Sequence, residues 1–351
     1  LKPHDYRLSQ MKKTLKYFLG SLFLLVVIAI ITIPFIPAEQ YRAQIETLAS
    51  QTLGVDTSMS DIGFVSLPTP GITIKDLQLS DNGTVLLKVK EIRIVPKLSS
   101  LFAATTVIRK IHLSGVTLRK DDIASLVALL DSPETSHNRR TNTVHVKRIT
   151  AEDSVIQLND KQVLGPIKLD LALAADGHPV ALELSLQQQT FNIALNESST
   201  GYQVTLQATD WKPALKPALK INNLKASGQL LADRLHLEKI IVNAYQGEAT
   251  GNLIMNWKDS WKLDSRFELS SLNLGLLLKA LGDNALDGTA SGNFTLRSLA
   301  DSPAKLIDNS HLLGDAMISN GHIYNADLEQ AVRTLSSEWQ GGGQTPFEVI
   351  K

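Results

Sequence analysis

The sequence predicts a mainly β fold: a transmembrane helix near the N-terminus, then a long antiparallel, meandering and curled β-sheet, open along one side, with a few short helices. Three observations carry this. From Val55 onward, apolar residues recur at every second position in short runs, the period of a half-buried strand. Turn signals rich in Gly, Pro, Asn and Asp separate those runs. Helical spacing is confined to a few short stretches and to one apolar segment.

That segment, Tyr17 to Ile36, has twenty residues and no charge, and fourteen of them are Leu, Ile, Val or Phe. As a helix it spans about 30 Å, the thickness of a bilayer's hydrocarbon core. At about −0.3 to −0.6 kcal/mol per apolar residue, its insertion is worth up to about −4 to −8 kcal/mol. A cleaved signal peptide has a shorter apolar region and a small-x-small exit. Here the exit reads Phe35-Ile36-Pro37-Ala38, so a retained anchor is expected, with Phe18, Leu22, Leu25, Ile28 and Ile31 facing lipid. Lys12, Lys13 and Lys16 precede the segment, whereas Glu39 and Arg42 follow it. The positive side stays cytoplasmic, which sends the bulk of the chain across the membrane. Met11-Lys12-Lys13 has the form of an initiation site, so residues 1–10 read as upstream sequence or a short cytoplasmic tail.

Tyr41, Ile45, Leu48, Ala49 and Leu53 repeat at helical spacing, and Gly54 supplies a stop, so an amphipathic helix is expected from Ala38 to Leu53. Alternation then takes over in Ile72/Ile74, Val85/Leu87/Val89, Ile92/Ile94 and Ile111/Leu113. The expected breaks are Pro68-Thr69-Pro70-Gly71, Asp81-Asn82-Gly83 and Ser114-Gly115; Asn82-Gly83 is a hairpin signal. Asp121 to Leu130 reads as a helix and Asp131 to Thr143 as a polar loop.

The clearest alternation lies between Ile167 and Ala208. Ile167, Leu169, Leu171 and Leu173 form the first apolar row, and Val180, Leu182, Leu184 and Leu186 the second. Phe191, Ile193 and Leu195 form the third, and Val204, Leu206 and Ala208 the fourth. These are four antiparallel strands, each with one apolar face and one wet face. After a Pro-punctuated bend at Trp211 to Pro217, strands resume at Leu219/Ile221, Leu235/Leu237, Ile240/Val242, Leu253/Met255/Trp257 and Trp261/Leu263 with Phe267/Leu269. A helix is expected from Leu272 to Leu281, strands at Gly288–Arg297 and Ile318–Tyr324, and a helix from Asp327 to Trp339. Another element opens at Phe347. About fifteen to twenty strands at about 4.8 Å spacing would extend 70–100 Å if left open.

Composition narrows the chemistry. The formal net charge is zero, so no electrostatic footprint for nucleic acid exists. The absence of cysteine excludes disulfides, thiolate zinc sites and a cysteine nucleophile. No P-loop, nucleophile elbow or H-E-x-x-H motif occurs. Asp283 to Gly288 lacks the alternating ligands of a calcium loop and reads as a turn. Asp121-Asp122 and Glu152-Asp153 fall where a helix cap and a hairpin turn are expected. No catalytic, cofactor-binding or metal site is expected, and the chain does not read as an enzyme.

Several pieces together resemble the AsmA family of inner-membrane-anchored periplasmic proteins. They are the anchor followed by Tyr41-Arg42-Ala43-Gln44-Ile45-Glu46 and Leu53-Gly54-Val55, then Pro68-Thr69-Pro70-Gly71-Ile72-Thr73-Ile74-Lys75-Asp76-Leu77. Near the end come Asp287-Gly288-Thr289-Ala290-Ser291-Gly292, Leu313-Gly314-Asp315-Ala316, Asn320-Gly321-His322-Ile323 and Gly343-Gln344-Thr345-Pro346-Phe347. The carboxyl-terminal part of the family pattern is missing.

The resemblance implies a bridge-like, membrane-anchored phospholipid-transfer protein supporting outer-membrane assembly and envelope integrity. It implies an inner-membrane, single-pass location with the bulk of the chain periplasmic. The implied partners are phospholipid acyl chains, the inner membrane and outer-membrane components, with the four rows from Ile167 to Leu206 as the lipid-contacting groove. The alternative is a structural factor for outer-membrane protein assembly that carries no lipid. The expected layout is a cytoplasmic start (1–16), anchor (17–36), amphipathic helix (38–54), N-terminal β-region (55–130), loop (131–143), central meander (144–270) and an incomplete C-terminal region (271–351).

Overall fold

The structure, a computed structural model, describes residues 42–65, 69–81, 83–100, 105–123, 125, 144–159, 161–186, 190–213, 219–324 and 344–350. The expected anchor with Phe18, Leu22, Leu25, Ile28 and Ile31, the loop 131–143 and the helix 327–339 lie outside these residues. So does most of the helix expected at 121–130, of which a 3-10 turn at Lys120–Asp122 opens the start. The chain divides into two compact units, Leu1–His178 and Pro179–Lys351.

In the first unit the helical spacing after the anchor gives α1 (Arg42–Leu53), and Gly54 follows with φ 70°. The strands are β1 (Asp56–Ser58), β2 (Asp61–Val65), β3 (Gly71–Asp81), β4 (Thr84–Pro96), β5 (Thr106–Arg119), β6 (Val144–Val146), β7 (Arg148–Asn159) and β8 (Gln162–Leu173). β3 pairs antiparallel with both β1 and β2, then with β4. Asp81 lies opposite Thr84, the register expected of the two-residue hairpin that Asn82-Gly83 announces. The glutamate of α1 fastens the helix to this end of the sheet: Glu46 Oε1 accepts from the Met59 amide at 2.8 Å. Ser50 Oγ accepts from the Thr57 amide at 2.9 Å.

Two sequence expectations are corrected here. The sheet is mixed rather than wholly antiparallel, because β5 pairs in parallel with β6 and β7. A parallel neighbour needs a connection of a dozen or more residues, and the stretch from Lys120 to Thr143 provides it. Ser114-Gly115 is not a break either. β5 runs through it, with Gly115 at φ 64° absorbing a local kink.

In the second unit every successive strand pairs antiparallel with the next. They are β9 (Pro179–Leu186), β10 (Phe191–Ser198), β11 (Gly201–Trp211), β12 (Ile221–Leu230), β13 (Arg234–Ala244), β14 (Gly247–Asn256), β15 (Trp261–Asn273), β16 (Thr289–Ala300), β17 (His311–Tyr324) and β18 (Gln344–Ile350). The sheet does not close on itself in either unit among the described residues. α2 (Leu274–Leu281) interrupts the meander between β15 and β16. Asn273 Oδ1 caps its Leu276 amide at 3.0 Å, and Gly282 ends it at φ 86°, as the sequence signals suggest. β17 begins at His311, well before the Ile318 start read from the sequence. Of the four strands expected between Ile167 and Ala208, β8 belongs to the first unit and β9, β10 and β11 to the second.

Strands in the second unit approach so closely that several positions exclude a Cβ, Gly251 and Gly314 among them. A Cβ on Gly251 would lie 2.1 Å from the Arg266 carbonyl oxygen, and one on Gly314 would lie 2.2 Å from that of Asn293. Gly251→Ala must therefore push β14 and β15 apart, at a cost of about 1–3 kcal/mol. A Cβ on Gly63 of β2 meets nothing within 4 Å, so Gly63→Ala is expected to be neutral within about 0.5 kcal/mol. Urea unfolding of the two variants checks the contrast.

The turn before β16 is held by one carboxylate. Asp287 Oδ1 accepts from the His322 amide at 2.6 Å and Oδ2 from the Tyr324 hydroxyl at 2.7 Å. The Tyr324 hydrogen bond, ahead of the His322 amide, holds the Asp287 carboxyl below its ordinary 3.8. In the first unit a bidentate ion pair with Arg148, at 2.6 and 2.5 Å, does the same for Asp170. A carboxyl depressed in the folded state stabilises it above the unfolded pKa and loses that contribution as pH falls through the folded value. The Asp170→Asn/Asp287→Asn variant should thus lose stability at pH 7 and show a flatter decline below about pH 4. Thermal melts across pH 2–7 measure it.

Candidate functional site

Opposed residues on neighbouring strands share a face, so the register defines what each face is made of. In the first unit one row runs Phe64, Ile72, Ile94, Ile111, Ile149, Leu171 across six strands. The adjacent row runs Ile62, Ile74, Ile92, Leu113, Ala151, Leu169. α1 covers the β2–β3 end of this face, where Ile45 packs on the cluster around Met59 and Ile62.

The second unit repeats the arrangement over nine strands. Its middle row reads Leu184, Ile193, Leu206, Ala226, Ile240, Gly251, Phe267, Phe294, Gly314. On one side lie Leu182, Leu195, Val204, Gly228, Leu237 and Leu253. On the other lie Leu186, Phe191, Ala208, Leu224, Val242 and Ala249. Bulky aliphatic residues dominate from β9 to β13, with Val204, Ala226 and Leu237 buried among them. From β14 to β17 the small residues Ala249, Gly251, Gly292, Gly314 and Ala316 are interspersed with Leu253, Leu269 and Leu296, and the Phe267 and Phe294 rings stack at 5.4 Å.

These faces are half-covered. Leu171, Leu184, Ile193, Leu206 and Phe267 are all of intermediate exposure, and no large side chain among the described residues is fully enclosed. Extensive contacts between strands are confined to ladder neighbours, so within each unit no second sheet lies on the apolar face among the described residues. The serines that interrupt it turn their hydroxyls inward to the backbone. Ser265 Oγ donates to the Asn252 carbonyl at 2.7 Å, Ser298 Oγ to Leu306 at 2.6 Å and Ser154 Oγ to Glu152 at 3.2 Å. The face is therefore apolar without a free polar group at those positions.

The opposite face carries the charge. Lys75 pairs with Asp61 at 2.7 Å and Arg297 with Asp264 at 3.3 Å. His112 lies between the Thr150 hydroxyl (2.9 Å) and Glu152 (3.0 Å) in the same polar layer. Glu152 and Asp153 fall inside β7, with Asp153 at φ 50° where the register shifts. Asp122 is buried beside Arg119, 3.2 Å away. Among the described residues no three His, Asp or Glu side chains are grouped to hold a metal, and no helix is long and apolar enough to cross a membrane.

The structure gathers the residues singled out from the sequence as follows. Val180, Leu182, Leu184, Leu186, Phe191, Ile193, Leu195, Val204 and Leu206 share one face of the second unit, with Leu184 opposite Ile193 and Ile193 opposite Leu206. Ile167, Leu169, Leu171 and Leu173 lie on β8 of the first unit, where Leu171 faces Ile149 and Leu169 faces Ala151. The reading missed the extension through β12 to β17. Register shifts between Leu237 and Ile240 and between Leu269 and Leu272 break the strict alternation that a sequence scan follows.

Comparison with curated proteins and with solved structures gives no match. A family model does match: residues 9–164 fit that of the AsmA family. The match takes in the apolar segment 17–36, α1 and the strands through most of the first unit; the motifs quoted from the second unit lie beyond it. The family that the motifs pointed to is thus the one whose model matches, over residues 9–164.

Proposed function

We propose that this chain is an envelope lipid-binding protein whose apolar sheet face carries the acyl chains of phospholipids between membranes. In this reading the segment 17–36 anchors it in the inner membrane, the bulk lies in the periplasm, and no chemical step is catalysed. The observation that carries the reading is the in-register apolar row from Leu184 to Gly314, which no second sheet covers among the described residues. Eight strand spacings of about 4.8 Å give that row about 38 Å, longer than a bilayer's hydrocarbon core of about 30 Å. The match to the AsmA family over residues 9–164 is consistent with a lipid-transfer or envelope role.

The energetics ask for such a surface. Each methylene moved from membrane to water costs about 0.8 kcal/mol, so a chain of about sixteen carbons costs on the order of 12 kcal/mol. A carrier must offset that with continuous apolar contact, and one free polar group in the path would forfeit part of it. The serine hydroxyls turned onto backbone carbonyls meet that requirement.

Leu171→Asp and Leu184→Asp test the reading, one in each unit. On a face open to water or lipid, a carboxylate stays hydrated. The variants should accumulate and melt like the parent while losing co-purified phospholipid, read by lipid mass spectrometry. Depletion of the folded protein would mean that both leucines sit in a closed core, where an unpaired carboxylate costs several kcal/mol. A photo-crosslinking residue at Leu184 should capture lipid in membranes. Capture confined to side chains of this same chain would instead favour a structural factor for outer-membrane protein assembly.

A further inference from the structure

α1 stands over the first position of an apolar row that crosses the first unit. That row begins at Ile62 of β2 and continues through Ile74, Ile92 and Leu113. Ile62 is 7% exposed and Met59 beside it 5%, with Ile45 of α1 packed against this pair. Ile74, Ile92 and Leu113 are only half-buried. The helix thus seals the start of a surface that is open farther on.

Little holds the helix there. Among the described side chains of α1 none is buried, and Ile45 is its contribution to the cluster. The other attachments are polar. Arg42 Nη1 donates to the Ser60 carbonyl at 2.9 Å, and Glu46 and Ser50 accept from the Met59 and Thr57 amides. Water can take over each of these groups, so their net contribution is modest. A helix of 12 residues is marginal by itself in water, so α1 needs an apolar surface under Ile45 and Ala49. Leu48, 63% exposed, stands three residues from Ile45 and so belongs to the same side of the helix. That side suits two surfaces: the cluster at Met59 and Ile62, or the interface of a bilayer, into which Leu48 would also pass. Only residues 37–41 separate α1 from the expected anchor 17–36.

We propose that α1 is a displaceable cover over an acyl-chain entry site formed by Met59, Ile62, Phe64, Ile72, Ile74 and Leu77. α1 moves its apolar side onto the bilayer, and an acyl chain of a phospholipid takes its place against Met59 and Ile62. In the closed state the Ile45 side chain stands in for the methylenes of that chain. The occupant is an acyl chain because the cluster is built of aliphatic side chains and one phenyl ring, and it opens onto a row of the same chemistry. The exchange replaces one apolar cover by another, which gives both states a comparable hold on the sheet. The proposal rests on the lipid-carrying reading and adds the place at which lipid gains the face.

Photo-crosslinking of the full chain tests it. The four methionines are replaced by a diazirine analogue of similar shape, and the protein is reconstituted in phosphatidylethanolamine–phosphatidylglycerol vesicles. Peptide mass spectrometry after irradiation should find phospholipid adducts at Met59. Ile45→Cys with Ile62→Cys, unique in a chain without cysteine, ties α1 down when oxidised to a disulfide. That should lower the Met59 adducts at least tenfold, and reduction should restore them. Ser50→Cys with Thr57→Cys replaces the pair should the first variant fail to fold, since Ser50 already touches the Thr57 amide. Met255 reports on the apolar face of the second unit, where it stands opposite Leu235 and Leu263. Adducts at Met255 but none at Met59 overturn the proposal and leave lipid carriage standing. Adducts at Met59 that persist with α1 tied down also overturn it, because lipid then reaches the site without displacing the helix. Adducts at neither methionine overturn both readings.

Discussion

In a sheet one layer thick, register decides the composition of each face, because a slip of one residue sends every apolar side chain of a strand to the other side. Ile72, Ile94, Ile111, Ile149 and Leu171 form a row only because each ladder between β3 and β8 is set to place them opposite one another. The irregularities obey the same constraint. Asp153 at φ 50° sits between Ala151 and Ser154, and Ser271 at φ 55° between Leu269 and Leu272. Each marks an extra residue in its strand, after which the apolar face resumes on the same side. Small polar residues accept this left-handed backbone more readily than branched ones do, which accounts for Asp and Ser at those two points.

That architecture shifts stability from a core to a series of neighbour interactions. No large side chain is fully enclosed among the described residues, and the buried set consists mainly of small or medium groups such as Val204, Ala208 and Ala226. Cross-strand pairs contribute a few tenths to about 1 kcal/mol each, and a chain of such contacts behaves as nearly independent links. Deep burial is limited to local clusters. One is the α1 end of the first unit, where Ile45 meets Met59 and Ile62; another lies around Val204 and Leu237. The surface ion pairs on the polar face, such as Lys75 with Asp61, add little in water; their larger role is to make that face unattractive to apolar partners.

What the sequence made legible follows from the same physics. Alternation is visible wherever a strand is unbroken, so β8 to β11 were read with their faces correctly assigned. Asn82-Gly83 was readable because both residues favour the backbone of a two-residue hairpin. The β13–β14 turn uses Tyr245 and Gln246 at φ 48° and 65° instead, residues that carry no turn signal. The parallel pairing of β5 with β7 was hidden because strand direction is not a property of either strand's own residues. It depends on the connection between them. The first half of β17 was missed because Leu312-Leu313 breaks alternation. Within the candidate site, glycine and alanine positions dropped out of the pattern, since a scan for large apolar residues passes over the small ones interspersed along β14 to β17.

The small residues and the phenyl pair are two sides of one packing solution. Where strands approach closely, as at Gly251 and Gly314, any side chain on that face would strike the neighbouring carbonyl. The backbone there is left bare, and bare backbone in an apolar lane exposes amide groups. Phe267 and Phe294, in the same row as both glycines, supply broad ring surface beside them; the Phe294 ring reaches within 2.7 Å of where a Gly314 Cβ would stand. An aromatic laid over a glycine on the next strand restores the apolar cover that the missing side chain withholds. The same close approach occurs between β12 and β13, where a Cβ on Gly228 would lie 1.9 Å from the His236 carbonyl oxygen, and there Val204 and Leu237 stand opposite the glycine. The apolar face thus persists past its glycines because the residues opposite them are large: Val204 and Leu237 beside Gly228, Phe267 and Phe294 beside Gly251 and Gly314.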